Sequence, residues 1–342
     1  MDSLTQAVLG GTIGYAVGGR QLGRKAALWG MGLGTLPDLD VLVSFSDPIE
    51  DFIYHRSWSH SLFLLTAISP VIGEGIRRLH KLPTSSRVTI MLMTWLVLIT
   101  HPLLDSLTSY GTQLLWPLTN YPFAVSSVSI IDPVYTLPLL FATIWALIKG
   151  RPKIEGTIGS AGKISRVALI LSTLYLGWGM LAQNQMQTRV EQQIAQGSEP
   201  DTSDPQILVT PSMGNSVLWY VLSVDDEKAR YGWVSLLDAD DQKIEWIDMD
   251  RNLDLLEEGS ERPELVQSLM NFTHGFYALE QHAGNQILLK DLRMGIAPDF
   301  VFRFLIAKKE AEQLKWNQPT VQLQRQINPE AASFLWSRMQ GR

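Results

Sequence analysis

"VTIMLMTWLVLITHPLLDSL", residues 88–107, decides how the rest of the chain is read. It carries a single charged residue, Asp105, in a run otherwise dominated by Leu, Ile, Val, Met and Trp. Crossing the hydrocarbon core of a bilayer takes roughly 20 mostly apolar residues, so this stretch predicts a membrane-spanning helix. Its far end is not apolar, however. His101 and Asp105 are four residues apart and share one helical face. An ionisable side chain inside a membrane segment costs on the order of 2.5–3.5 kcal/mol on insertion scales, so such groups mark functional positions.

Working outward, further apolar segments lie at 4–19, 26–45, 61–76, 128–148 and 167–183. Together they predict six spans. Gly10, Gly14 and Gly18 recur every four residues in the first segment, as do Gly30 and Gly34 in the second. Small residues at that spacing let helix backbones approach closely in lipid, and close packing of the first two helices is the expectation. A phosphate-binding glycine loop is disfavoured, because no strand precedes these glycines and no Lys-Ser/Thr follows.

Basic residues orient the spans. Arg20, Arg24 and Lys25 follow the first segment, Arg77, Arg78, Lys81 and Arg87 the third, and Lys149, Arg151, Lys153 and Lys163 the fifth. These loops are expected inside. The loops at 46–60 and 108–127 hold only Arg56 between them and are expected outside.

The chain has 342 residues, 46% hydrophobic and 18% charged, with a net charge of −6. Charges are sparse up to residue 186, and the acidic excess lies beyond it. That balance gives no support for nucleic-acid binding. Cysteine is absent, which excludes disulfides, thiolate metal sites and cysteine nucleophiles. The opening MDSLTQAVLGG has no basic n-region, and no cleaved signal peptide is read there. Beyond 206, runs such as QILVTPSMGNSVLWYVLSV alternate with turn residues and predict strands, and 261–273 has helical periodicity. The fold class expected is therefore mainly α: a polytopic transmembrane bundle over 1–186, a linker over 187–205, and a small soluble α+β domain over 206–342. With its mainly antiparallel sheet, that last domain is expected in the periplasm.

Polar groups in the apolar half are few. They are PDLD (37–40), HRSWSH (55–60), HPLLD (101–105) and IIDP (130–133). Under the charge-derived orientation, Asp38, Asp40, His55, His60, His101, Asp105 and Asp132 all fall near one face of the membrane. Asp38 and Asp40 share a side only if the chain is extended there, and Pro37 biases Leu36 away from helix. His55 and His60 are too far apart for one helical face, but a loop entering a helix can join them, with Ser59 as a candidate N-cap. A His/Asp set without Cys suits zinc, manganese or iron and hydrolytic chemistry. Metal ligands are expected at Asp38, Asp40, His55, His60, His101 and Asp105, and catalytic roles at Asp38, Arg56 and Asp105. Arg56 fits either an interfacial anchor or a clamp for phosphate or carboxylate. Asp132 fits a helix cap equally well. His80, in a basic loop, is expected to be solvated, and His274 and His282 to be ordinary positions of the soluble domain.

As an ordered set, MDSLTQAVLG, PDLD, HRSWSHS, HPLLDSLTSYGTQLLWP and IIDP resemble the YdjM-type membrane-bound proteins described as metal-dependent hydrolases of the inner membrane. The resemblance is close over 1–145. It implies a membrane-embedded divalent-metal hydrolase in the bacterial inner membrane, and a distant likeness to zinc phospholipase C and P1-type nucleases suggests phosphate esters. Many such proteins carry His where this chain has Gln6, which bears on the number of metals. A site at headgroup depth points to a lipid or lipid-linked substrate. Two other classes fit the same residues: an ion-coupled transporter, and a non-catalytic membrane protein with a structural metal. Haem ligation by His55 and His101 leaves the neighbouring carboxylates without a use.

Overall fold

A computed structural model describes residues 1–152, 159–197, 205–239, 241–256, 261–296, 299–310, 313–324 and 330–340. Two compact units emerge. The first holds Met1–Val43, His55–Met180 and Met213–Asn215; the second holds Ser44–Tyr54, Leu181–Ser212 and Ser216–Arg342. The boundary differs from a simple cut near residue 186. A short segment between the second and third apolar stretches, Ser44–Tyr54, counts with the second unit. Residues 187–197, read as linker, belong to a helix that continues to Gly197, and 198–204 lie outside the described residues.

The first unit is helical. Asp2 caps α1 (Ser3–Leu22) by accepting from Thr5 N at 3.0 Å, and α2 (Arg24–Thr35) follows after Gly23. The chain makes a 3-10 turn at Pro37–Leu42 and then enters the second unit with α3 (Pro48–Tyr54). It returns at His55, makes a second 3-10 turn at Trp58–His60, and continues as α4 (Leu62–Leu79), α5 (Arg87–Asp105), α6 (Pro133–Lys149) and α7 (Ser160–Gly197). Ser61, not Ser59, caps α4, accepting from Leu64 N at 3.3 Å. Asp132 caps α6 through Val134 N and Tyr135 N and also accepts from Tyr175. Its position is a helix cap.

The glycines pack α1 on α2 as expected. A Cβ on Gly10 would stand 2.2 Å from Gly30 O, and one on Gly30 would stand 2.0 Å from Gly10 O. Gly14 meets Ala26 O at 2.4 Å and Gly34 meets Gln6 O at 2.6 Å by the same construction. Any side chain there would force the helices apart.

Among the described residues, two helices are long and apolar enough to cross a membrane, Thr84–Asp105 and Ser160–Gln196, and Pro133–Lys149 is a shorter apolar helix. The sequence count of six goes further than this. Glycine dilutes the hydropathy of α1 and α2, and α4 carries Glu74, Arg77 and Arg78 at its end. Large apolar side chains nevertheless stand exposed on α4, α6 and α7, among them Val71, Leu137, Phe141, Leu174 and Leu181. Apolar surface on this scale is a feature of a lipid- or protein-facing face.

The second unit is built on two antiparallel sheets. One runs in sequence order: β1 (Gln206–Pro211), β2 (Leu218–Val224), β3 (Lys228–Ser235) and β4 (Ile247–Asp250). After α8 (Glu264–Phe272) come β5 (Tyr277–His282), β6 (Gln286–Asp291), a small pair β7 (Gly295–Ile296) and β8 (Asp299–Phe300), then β9 (Arg303–Glu310), β10 (Gln313–Gln322) and α9 (Glu330–Met339). The second sheet has the order β10-β9-β6-β5. The antiparallel pairing and the helix near 261–273 agree with the sequence reading. Phe52 of α3 packs among Phe272, Phe302 and Phe304, with ring centroids 4.4–5.4 Å away. Asp47, just before α3, accepts from Ile49 N and Thr320 N at 2.8 Å each.

Candidate metal centre

Four side chains of the first unit converge: Asp38, His60, His101 and Asp105, each offering one ligand atom within 4.8 Å of the others. Three local devices supply them. Pro37 begins the 3-10 turn that carries Asp38, and Leu36 stays helical (φ −58°, ψ −43°) despite preceding a proline. His60 ends the second 3-10 turn. His101 and Asp105 lie one turn apart at the end of α5, as their spacing predicts. The loop after α5 folds back over HRSWSH: Gln113 N donates to Arg56 O at 3.0 Å, Leu62 N to Leu114 O at 3.0 Å, and Ser61 Oγ to Trp116 O at 2.5 Å.

The hydrogen bonds fix where each imidazole proton sits. His101 Nδ1 is 2.6 Å from the carbonyl oxygen of Gly34, which can only accept, so the proton is on Nδ1. Ser59 Oγ gives its proton to Asp40 Oδ2 at 2.6 Å and therefore accepts from His60 Nδ1 at 2.9 Å. In the neutral rings both Nε2 atoms then present lone pairs, and these face one another at 3.1 Å. Asp38 Oδ1 lies 3.5 Å from His60 Nε2 and 3.3 Å from His101 Nε2. Asp105 Oδ2 lies 3.2 Å and 3.3 Å from the same two atoms. It is buried and has no hydrogen-bond donor among the described residues.

Four acceptors aimed at one point need a cation between them. A tetrahedral ion with bonds of roughly 2.0–2.1 Å has ligand-to-ligand edges of about 3.3 Å. Five of the six ligand-to-ligand distances, 3.1–3.5 Å, match that edge, and the sixth, between Asp38 and Asp105, is within 4.8 Å. An N2O2 donor set suits zinc, manganese or ferrous iron. The residues therefore fit a divalent metal.

The remaining residues expected at the site stand just behind these four. Asp40 accepts from His55 Nδ1 at 2.9 Å (in the tautomer that places the proton there), from Arg56 N at 3.0 Å and from Ser59. A 3-10 helix turns about 120° per residue, so side chains two apart diverge. Asp38 and Asp40 accordingly face different partners. His55 is 27% exposed, and its ring centroid lies 6.1 Å from that of His60. Arg56 sits at φ +65° and is buried, stacked over Tyr110 at 4.8 Å with Nη2 3.6 Å from Asp105 Oδ1. It is not an exposed interfacial anchor. Asp105 Oδ1 also accepts from Gln6 Nε2 at 3.1 Å and is paired with the Met1 amine. Gln6 thus reaches the site from behind Asp105.

The support from Ser59, Gly34 and Gln113 was not read from the sequence. Ser59 could have been flagged by its place beside His60, but a backbone carbonyl such as that of Gly34 leaves no sequence signal. His80 was expected to be solvated; it is half-buried and accepts from Trp29 Nε1 at 2.8 Å. His274 and His282 lie in the second unit, both half-buried.

No curated protein and no solved structure matches the chain. The family model described as YdjM inner membrane protein matches residues 1–186, more than half of the chain. The chain belongs to that family, and its setting is a lipid bilayer.

Proposed function

We propose that this YdjM-family chain is a membrane-bound, metal-dependent hydrolase acting on an ester or phosphoester of a lipid or lipid-linked substrate. The observation that carries the reading is the convergence of Asp38, His60, His101 and Asp105, with ligand atoms within 4.8 Å of one another. Bound there, a divalent ion supplies Lewis acidity and brings the pKa of water from 15.7 toward roughly 7. His60 and His101 hold their Nε2 lone pairs forward because Ser59 and Gly34 hold their Nδ1 protons. Asp105 is clamped through its other oxygen by Gln6 and Arg56. Asp38 is the most exposed of the four carboxylates and imidazoles, at 16%, and is the group placed to yield to substrate or accept a proton. Arg56 Nε is buried with no acceptor among the described residues, leaving one N–H for negative charge that develops on a substrate. The Asp40–His55 pair gives the site a half-exposed imidazole whose orientation is fixed. With six spans and outward loops, the site and the second unit lie on the periplasmic side, at headgroup depth.

A second reading has its own support. Four protein ligands close a tetrahedral ion, and closed sites are the structural kind, whereas catalytic zinc sites keep a position open. The separating experiment measures turnover of a panel of phospholipids and lipid-linked phosphates by metal-loaded protein in detergent or nanodiscs. The hydrolase reading expects turnover that chelation abolishes and that Asp38→Asn lowers at least ~100-fold while the metal stays bound. Stoichiometric metal without turnover on any of these substrates assigns the ion a structural role.

A further inference from the structure

At the other end of the helical unit lies a cavity of about 400 Å³ whose walls come from α1, α5, α6 and α7. Arg20, Lys149, Arg151 and Arg166 line it, and no Asp or Glu does among the described residues. None of these four cations is in an ion pair among the described residues, and all four are exposed. Three other basic residues at this end share one carboxylate, whereas Arg24, Lys25, Lys81 and Lys163 are outside this cavity and have no ion pair among the described residues. Arg77, Arg78 and Arg87 all reach Glu74, at 2.8, 2.7 and 3.3 Å.

The fold builds this convergence through close backbone approach. Gly23 has φ +60°, and a Cβ there would stand 2.6 Å from Pro152 Cδ. Gly150 is as tightly placed, its Cβ position 2.6 Å from the Tyr15 ring. These contacts press the chain after α6, with Arg151, against the end of α1, with Arg20. The first turn of α7, Ser160–Gly162, completes the wall. Its N–H groups are unbonded within the helix, and the helix dipole adds positive potential. Gln21 contributes a buried Oε1 without a donor among the described residues.

Four uncompensated cations around one cavity repel each other, and a bound anion removes that repulsion. Arginine is the residue suited to planar, bidentate contact with phosphate. Basic pockets between membrane helices on the cytoplasmic side take anionic lipid headgroups. We propose that this cavity binds a phosphate-bearing anion, either the headgroup of an anionic phospholipid or free phosphate. A ligand with hydroxyl donors, such as a glycerol headgroup, also satisfies Gln21 Oε1. Arg20 is 14 residues beyond Gln6 on α1, roughly 21 Å along the axis, so this is not part of the metal centre. It does not depend on the hydrolase reading, since metal content and lipid binding are read separately.

The test reconstitutes the full-length protein in nanodiscs of phosphatidylcholine with increasing phosphatidylglycerol, and reads retained lipid by native mass spectrometry and thermal stability by scanning fluorimetry. A parallel arm titrates inorganic phosphate in phosphatidylcholine discs. Retention and stabilisation with phosphatidylglycerol identify the lipid, and saturation by phosphate alone identifies the free anion. Arg20→Gln, Arg151→Gln and Arg166→Gln each weaken binding by about fivefold. The control Arg77→Gln/Arg78→Gln, outside the cavity, leaves it unchanged. Equal loss in the control, or no loss in the three cavity variants, overturns the proposal.

Discussion

At the scale of single residues, the deciding feature is the position of two protons. His60 and His101 each spend their Nδ1 proton on a neighbour, and so turn lone pairs toward Asp38 and Asp105. Removing the neighbour leaves the ring free to turn or to change tautomer, and outer-shell partners of this kind typically carry 10–100-fold of metal affinity. Ser59→Ala is therefore expected to weaken metal binding by about that factor while leaving the fold intact, measured by competition with a fluorescent chelator. Unchanged affinity would show that His60 is held by something other than Ser59. The i,i+4 pair of His101 and Asp105 was legible from spacing alone. The parting of Asp38 from Asp40 was not. It depends on Pro37 starting a 3-10 turn instead of an extended break, and spacing does not distinguish the two.

Among the elements, the pairing of α1 with α2 does more than fill space. Gly34 sits against Gln6 O and at the same time offers its carbonyl to His101. Helix contact and ligand orientation thus share one residue. Gly30→Ala places a methyl 2.0 Å from Gly10 O, a backbone clash with no flexible atom to give way. Overpacking of this kind costs about 1–3 kcal/mol or more. The variant is expected to melt several degrees lower and also to lose metal affinity, because α2 carries Gly34 with it. Gly32→Ala, where nothing lies within 4 Å, is the matched control and should be silent. The glycine spacing announced this contact in the sequence. The role of α3 was hidden, since seven residues between two polar motifs read as loop, and only Phe52 among three phenylalanines shows it to be a core element of the second unit.

For the molecule as a whole, the sequence divides correctly into an apolar helical part and a β-rich part, because composition and periodicity change sharply between them. The exact partition escaped it. α7 outruns its apolar stretch, and Ser44–Tyr54 joins a unit more than a hundred residues away in sequence. Such pairings are decided by tertiary packing, which local pattern does not encode. One consequence concerns topology. Ser44–Tyr54, between the segments that carry Asp38 and His60, counts with the β-rich unit, and the proposed orientation puts both outside. Membrane-impermeant labelling of single cysteines at Ser46 and Lys228, in a chain that has no native cysteine, is expected to mark both from the periplasmic side. Labelling from the cytoplasmic side alone would reverse the orientation drawn from the basic loops.

Metal binding by Asp38, His60, His101 and Asp105 is the central claim about this protein. The direct measurement is elemental analysis of the purified full-length protein beside His60→Ala and Asp105→Ala, with folding checked by scanning fluorimetry. The prediction is about one equivalent of zinc, manganese or iron in the native protein and none in folded variants. A metal-free native protein that binds none of these ions when they are added would contradict it.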